Sequence, residues 1–143
     1  MQLTDAYDPQ NIFARILRDE MPSIRVYEDE MTLAFMDIMP QTPGHVLVIP
    51  RAASTNFLTI SPEDAAAVMS TAHKLAPAVQ HAMQAPGLMV AQLNGSAAGQ
   101  TVPHYHMHII PRHEGLEMLG HGTQMADMDE LAEIAKRIRA ALT

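Results

Sequence analysis

The spacing of apolar positions changes character several times along the chain, and each change marks an element. Ile12, Phe13, Ile16 and Leu17 recur as i, i+1, i+4, i+5, which makes one stripe of a short helix. Asp8 and Pro9 are placed to cap and open it, and Pro22 to end it. The β-rich segments Arg25 to Tyr27 and Met31 to Ile38 read as strands around the turn Glu28-Asp29-Glu30. Pro43-Gly44 then punctuates the chain before the strand His45 to Ile49, which Pro50 closes, and antiparallel pairing follows from such short connections. Ser61-Pro62-Glu63-Asp64 supplies an N-cap hydroxyl, an N1 proline and two first-turn acids, announcing a helix to about Met83. Val68, Ala72, Leu75, Ala76, Val79 and Met83 would form its buried face, with a kink at Pro77. His73 and His81 fall on the opposite, solvated side.

Leu88 to Leu93 is the next strand, residues 94–99 form a small-residue loop, and a last strand runs from about His104 to Ile110. Residues 114–125 look irregular. Asp127-Met-Asp-Glu130 resembles a capping box and opens a final helix through Leu131, Ile134, Ala135, Ile138 and Leu142. A helix, three strands, a helix, two strands and a helix do not alternate as a parallel sheet requires. The expected class is therefore α+β, with a mainly antiparallel sheet of about five strands, a long central helix, a short N-terminal helix and a C-terminal helix. One domain over residues 1–143, with its core at about 11–112, is expected.

Composition narrows the function. A net charge of −7 argues against wholesale neutralisation of nucleic-acid phosphates. There is no cysteine, so disulfides and thiolate metal sites are excluded. The twelve methionines and three phenylalanines describe an adaptable aliphatic core. No apolar run approaches the ~20 residues that cross a bilayer, and the first residues lack the pattern of a signal peptide, so no membrane partner and a cytoplasmic location are expected.

The stretch His104-Tyr-His-Met-His108-Ile-Ile110 carries the chemistry. Extended backbone has a side-chain period of two, so His104, His106 and His108 share one face while Tyr105, Met107 and Ile109 point to the other. Three imidazoles in a dry core would need partners for six ring nitrogens, and each orphan costs ~1–3 kcal/mol. Packing alone explains them poorly. They either ligate a metal, zinc being the ion that suits imidazole, or one of them attacks an electrophile while its neighbours orient it. The adjoining residues offer no carboxylate for a zinc hydrolase. They offer instead Gly95, Gly99, Gln100 and Thr101, which present backbone N–H groups, an amide and a hydroxyl suited to phosphate. His45 adds a fourth imidazole that an antiparallel neighbour could bring beside the triplet.

The segments IFARILRDEMPSIRVYEDE, LAFMDIMPQTPGHVLVIP and NGSAAGQTVPHYHMHIIPR resemble the histidine triad superfamily, in its Hint-like branch of nucleotide hydrolases and transferases, from about Asn11 to Arg112. The His-φ-His-φ-His-φ-φ signature is matched at every position. The resemblance implies cleavage at the α-phosphorus of a purine nucleotide through a nucleotidyl-His106 intermediate, with His108 donating to a phosphate oxygen, His104 holding the array and His45 supporting the nucleophile. It further implies a phosphate side at Asn94, Gly99, Gln100, Thr101 and Val102, with Gln100 and Thr101 near the α-phosphate. Asp37 would bond the ribose hydroxyls, and Ile12, Phe13, Ile16, Ile24, Phe35 and Ile38 would form the base pocket. Many bacterial relatives carry two cysteines and a histidine where this chain has Asn11, Ala14 and Ala53, so no structural zinc is expected. No metal is required by the reaction, although a divalent ion would accompany a polyphosphate substrate. A homodimer joined through sheet edges is also implied. A zinc hydrolase using the triplet, or a nucleotide-binding regulatory module with little turnover, are the competing readings. His113 and His121 lie past the motif and are expected to be structural or solvated, while the segment that carries them could reach a site.

Overall fold

The computed structural model describes residues 1–120 and 122–142, so His121 lies outside the described residues. Helix α1 (Ile12–Leu17) is followed by strands β1 (Arg25–Glu28), β2 (Thr32–Met36) and β3 (Val46–Pro50). Helix α2 (Pro62–Met83), strand β4 (Gly87–Gln92), a 3₁₀ turn at Ser96–Ala98, strand β5 (Met107–Arg112) and helix α3 (Met128–Ala141) complete the chain. The five strands form one antiparallel sheet in the order β1-β2-β3-β5-β4, the α+β class expected.

The alternation of strand residues divides the interior into two layers. Ala34, Met36, Val46, Val48, Met107 and Ile109 face one side, where α2 and α3 cover them with Val68, Leu75, Val79, Leu131, Ile134 and Ile138. Leu33, Phe35, Leu47 and Ile49 face the other side, where Phe13 and Ile16 of the six-residue α1 cover them, with the partly buried Leu17, Met21 and Val102 at the margin. The sheet is thus thickly padded on one face and thinly on the other.

Local chemistry moved three boundaries. The N-cap of α1 is Asn11, whose Oδ1 accepts from Ala14 N at 2.9 Å, and not Asp8, which instead closes a tight turn onto Gln10 N at 2.9 Å. The helix stops at Leu17 because Asp19 takes a left-handed φ of 59°, well before Pro22. Strand β5 begins at Met107 and not at His104. Ahead of it the backbone donors leave the ladder, His104 N–H going to Val102 O at 2.9 Å and Tyr105 N–H to Ser54 O at 2.8 Å. Helix α2 starts with Ser61 Oγ accepting from Asp64 N and continues through Pro77, with His73 and His81 exposed.

Gly44 is needed where it stands. Its φ is +92°, and a Cβ there would lie 2.6 Å from Met83 Cγ at the end of α2. A glycine accepts that conformation and that approach together, which sets the entry of the next residue, His45, into β3.

Candidate active site

Although the ladder starts at Met107, side-chain direction follows the alternation read from the sequence. Tyr105, Met107 and Ile109 lie in the helix-covered core. His104, His106 and His108 turn to the thin side, all three buried. The rings of His106 and His108 have centroids 4.9 Å apart, and Phe13 from α1 packs T-shaped on His106 at 5.0 Å. His45 reaches the same place by register. Leu47 pairs with His108, and His45 lies two residues earlier on that face, a diagonal neighbour. Its Nε2 is 2.9 Å from His108 Nδ1.

Hydrogen-bond partners fix the neutral tautomer of each ring, since carbonyl oxygens only accept and amide nitrogens only donate. His106 Nδ1 lies 2.6 Å from the carbonyl of His104, so Nδ1 bears the proton and Nε2 the lone pair. Gln41 N–H donates to His45 Nδ1 at 3.1 Å, so His45 carries its proton on Nε2 and donates to His108 Nδ1. His108 is left with its proton on Nε2. The two neighbouring rings therefore differ at Nε2, a lone pair on His106 and an N–H on His108. His104 is spanned by the Tyr7 hydroxyl at Nδ1, 2.7 Å away, and the Pro50 carbonyl at Nε2, 2.9 Å away. Burial lowers its pKa from 6.5, against the opposing pull of the Pro50 bond, and the ring is neutral near pH 7.

His106 and His108 line a cavity of about 340 Å³, within the ~300–1,000 Å³ usual for small-molecule sites. Its walls include Ile12, Phe13, Ile16, Ile24, Phe35 and Ile38. Thr101 and Val102 line it beside the histidines, and Asp37 lines it from the end of β2. The Asp37 carboxylate accepts from Met39 N at 2.9 Å through Oδ1, and Oδ2 is 3.6 Å from His45 Nδ1.

Three residues expected on the phosphate side do not reach the wall. Gln100 is buried, its amide spent on backbone: Oε1 accepts from Gly95 N at 2.8 Å, and Nε2 donates to Thr55 O at 2.7 Å and Val102 O at 3.0 Å. A carboxamide with all these partners shapes the loop from behind. Asn94 is likewise turned away, accepting from Phe57 N at 2.7 Å and exchanging hydrogen bonds with Gln92. Gly99, with φ +98°, ends the 3₁₀ turn. His104 and His45 also stand behind the wall, bonded to the residues that form it.

Some wall residues carried no signal for the site in the sequence. Met21, Pro22, Ser23 and Met39 complete the slot around the isoleucines. Gly122 and Met128 come from the C-terminal segment, which does reach the site. His113 is half-buried and bonds the carbonyl of Met83 at 3.2 Å, a structural role. Asp37, His45 and His108 place candidate metal-ligand atoms within 4.8 Å of one another. The histidine triplet itself does not converge on one ion, because both nitrogens of His104 and Nδ1 of His106 face hydrogen-bond partners.

A family model described as the HIT domain matches residues 18–115. The chain is 44% identical over 102 residues to "Protein hit" of Bacillus subtilis, covering 71% of this chain and 70% of that protein. It is 35% identical over 138 residues to the adenosine 5'-monophosphoramidase HNT1 of Saccharomyces cerevisiae, covering 94% and 84%. Among solved structures, a Hit-like protein from Bartonella henselae superimposes with a TM-score of 0.88 at 51% identity, over 95% of this chain and 99% of that one.

Proposed function

Because the chain belongs to the HIT family, whose members include nucleotide hydrolases and transferases, we propose that it cleaves purine nucleotides at the α-phosphorus through a covalent His106 intermediate. The observation that carries this reading is the 2.6 Å bond from His106 Nδ1 to the His104 carbonyl, which puts the lone pair on Nε2 of a residue that lines the cavity. In the first step Nε2 attacks phosphorus, a phosphorus–nitrogen bond forms, and the bond to the leaving group breaks with its electron pair, an amine taking up a proton from solvent as it departs and a phosphate leaving as the anion. His108 Nε2–H and the donors near Thr101 stabilise the charge that gathers on the non-bridging oxygens. Water then attacks phosphorus, the bond to His106 breaks, and a nucleoside monophosphate leaves. Nucleoside phosphoramidates, mixed anhydrides and dinucleoside polyphosphates share this reacting centre. The yeast relative named a monophosphoramidase favours the first.

The base would occupy the apolar slot of Ile12, Phe13, Ile16, Ile24, Phe35 and Ile38, with Asp37 on the ribose. Asp37→Ala is expected to raise KM for a ribonucleotide substrate by ~10-fold or more, since a site built to bond hydroxyls loses that bond. The same change acts weakly on a 2',3'-dideoxy analogue, and equal effects on both would remove Asp37 from the ribose. The protein supplies the donors itself, so no structural zinc and no catalytic metal enter the proposal. Treatment with a chelator is expected to leave phosphoramidase activity intact, whereas loss restored by added zinc would favour a metallohydrolase. The functional unit is proposed to be a homodimer, in which the β4 edge, with Val90 exposed, is covered by a second copy.

Acid-quenching the protein after mixing with an adenosine phosphoramidate, followed by mass spectrometry, tests the mechanism. An adenylyl adduct on the peptide containing His106 is expected. Turnover without an adduct in His106 would sink the covalent route.

A further inference from the structure

Tyr7 precedes α1, and the reaction described above does not use it. Its hydroxyl lies 2.7 Å from His104 Nδ1, with the two rings in edge contact at 5.7 Å between centroids. The Pro50 carbonyl at Nε2 obliges that nitrogen to hold the ring proton, so Nδ1 accepts and the phenol donates. Burial raises the phenol pKa further above 10.0, which keeps it a donor near neutral pH. The segment that carries Tyr7 is itself anchored. Met1 O accepts from Ser96 N at 3.1 Å, Leu3 O accepts from Asn56 Nδ2 at 3.0 Å, and the Leu3 side chain closes on Gly95. One end of this strap thus touches the loop ahead of Gln100, and the other holds the first histidine of the triplet.

We propose that Tyr7 is a positioning residue of the active site, clamping His104 against Pro50 so that the His104 carbonyl stays aimed at Nδ1 of His106. His104 contributes through its backbone as well as its ring, because that carbonyl decides which nitrogen of His106 bears the proton. A ring anchored at both nitrogens cannot rotate or change tautomer without breaking a bond, and the attached backbone is held with it. With the phenol removed, His104 Nδ1 becomes a buried acceptor without its donor, and the ring, held at one nitrogen only, can swing and carry the attached carbonyl off His106 Nδ1. Tyr7 does not line the cavity, so the effect falls on the reacting nitrogen and not on substrate affinity. The inference rests on His106 being the nucleophile.

The test is Tyr7→Phe in the full chain, repeated as Tyr7→Leu, with two readouts. By ¹⁵N imidazole spectroscopy the wild-type His106 shows a single form protonated at Nδ1, and both variants show a mixture of His106 tautomers. With an adenosine phosphoramidate, kcat falls by roughly 10- to 100-fold while KM stays within about twofold. An unchanged His106 spectrum in both variants overturns the proposal, whatever the rates. A raised KM at unchanged kcat overturns it as well and makes Tyr7 part of the substrate wall. Failure of the nucleophile reading shows elsewhere, as full activity in a His106 variant, and leaves the spectroscopic result to be read separately.

Discussion

His106→Ala is expected to lower turnover of an adenosine phosphoramidate by at least ~10³-fold, because the covalent role proposed for it has no understudy among the neighbouring rings. His104 has one nitrogen on Tyr7 and the other on Pro50. His108 accepts from His45 at Nδ1, and the relay places its remaining proton on Nε2, where a donor and not a nucleophile is presented. Neither ring can replace the Nε2 of His106 without rebuilding the network. The apolar slot that would hold the base is formed by other residues, so the variant is expected to keep nucleoside monophosphate affinity within a few-fold. Turnover within tenfold of the parent, measured in protein of unchanged thermal midpoint, would reject the assignment.

Gln100→Ala is expected to unfold the protein about 10 °C earlier. The variant strips partners from the N–H of Gly95 and the carbonyl of Thr55, with the Val102 carbonyl keeping the His104 N–H. Each buried group left unpaired costs ~1–3 kcal/mol, and a loss of about 3 kcal/mol corresponds to a shift of that size in a chain of this length. Activity falls too, because the loop from Gly95 to Val102 carries Thr101 to the cavity. A direct role on phosphate predicts the opposite balance, a large loss of kcat at an unchanged thermal midpoint. Calorimetry alongside steady-state rates separates the two.

Much of this was legible in the sequence because period and motif are local properties. Alternation placed the three imidazoles on one side of the sheet and Tyr105, Met107 and Ile109 on the other, even though the ladder begins only at Met107. That outcome shows alternation surviving where cross-strand pairing fails: side-chain direction needs only extended backbone, while a strand assignment needs partners. Ser61 and Asp127 cap their helices as their types suggest, because capping depends on residues within one turn. The direction of Gln100 was not legible. An amide suits a phosphate and a backbone equally well, and the choice is made by Thr55, forty-five positions away. Tyr7 was hidden for a similar reason, as one hydroxyl in an aperiodic tail whose partner lies ninety-seven positions on. The methionines of the slot, Met21 and Met39, look like any other filler until the fold collects them.

The uneven upholstery of the sheet has a thermodynamic corollary. Two long helices seal one face, but opposite them six residues of α1 cannot roof five strands, and the shortfall is the cavity. A flat heteroaromatic guest stacked there would serve as the missing side chain of an unfinished hydrophobic layer. Occupancy and folding would then be one linked equilibrium, with each molecule of guest tightening the architecture that receives it.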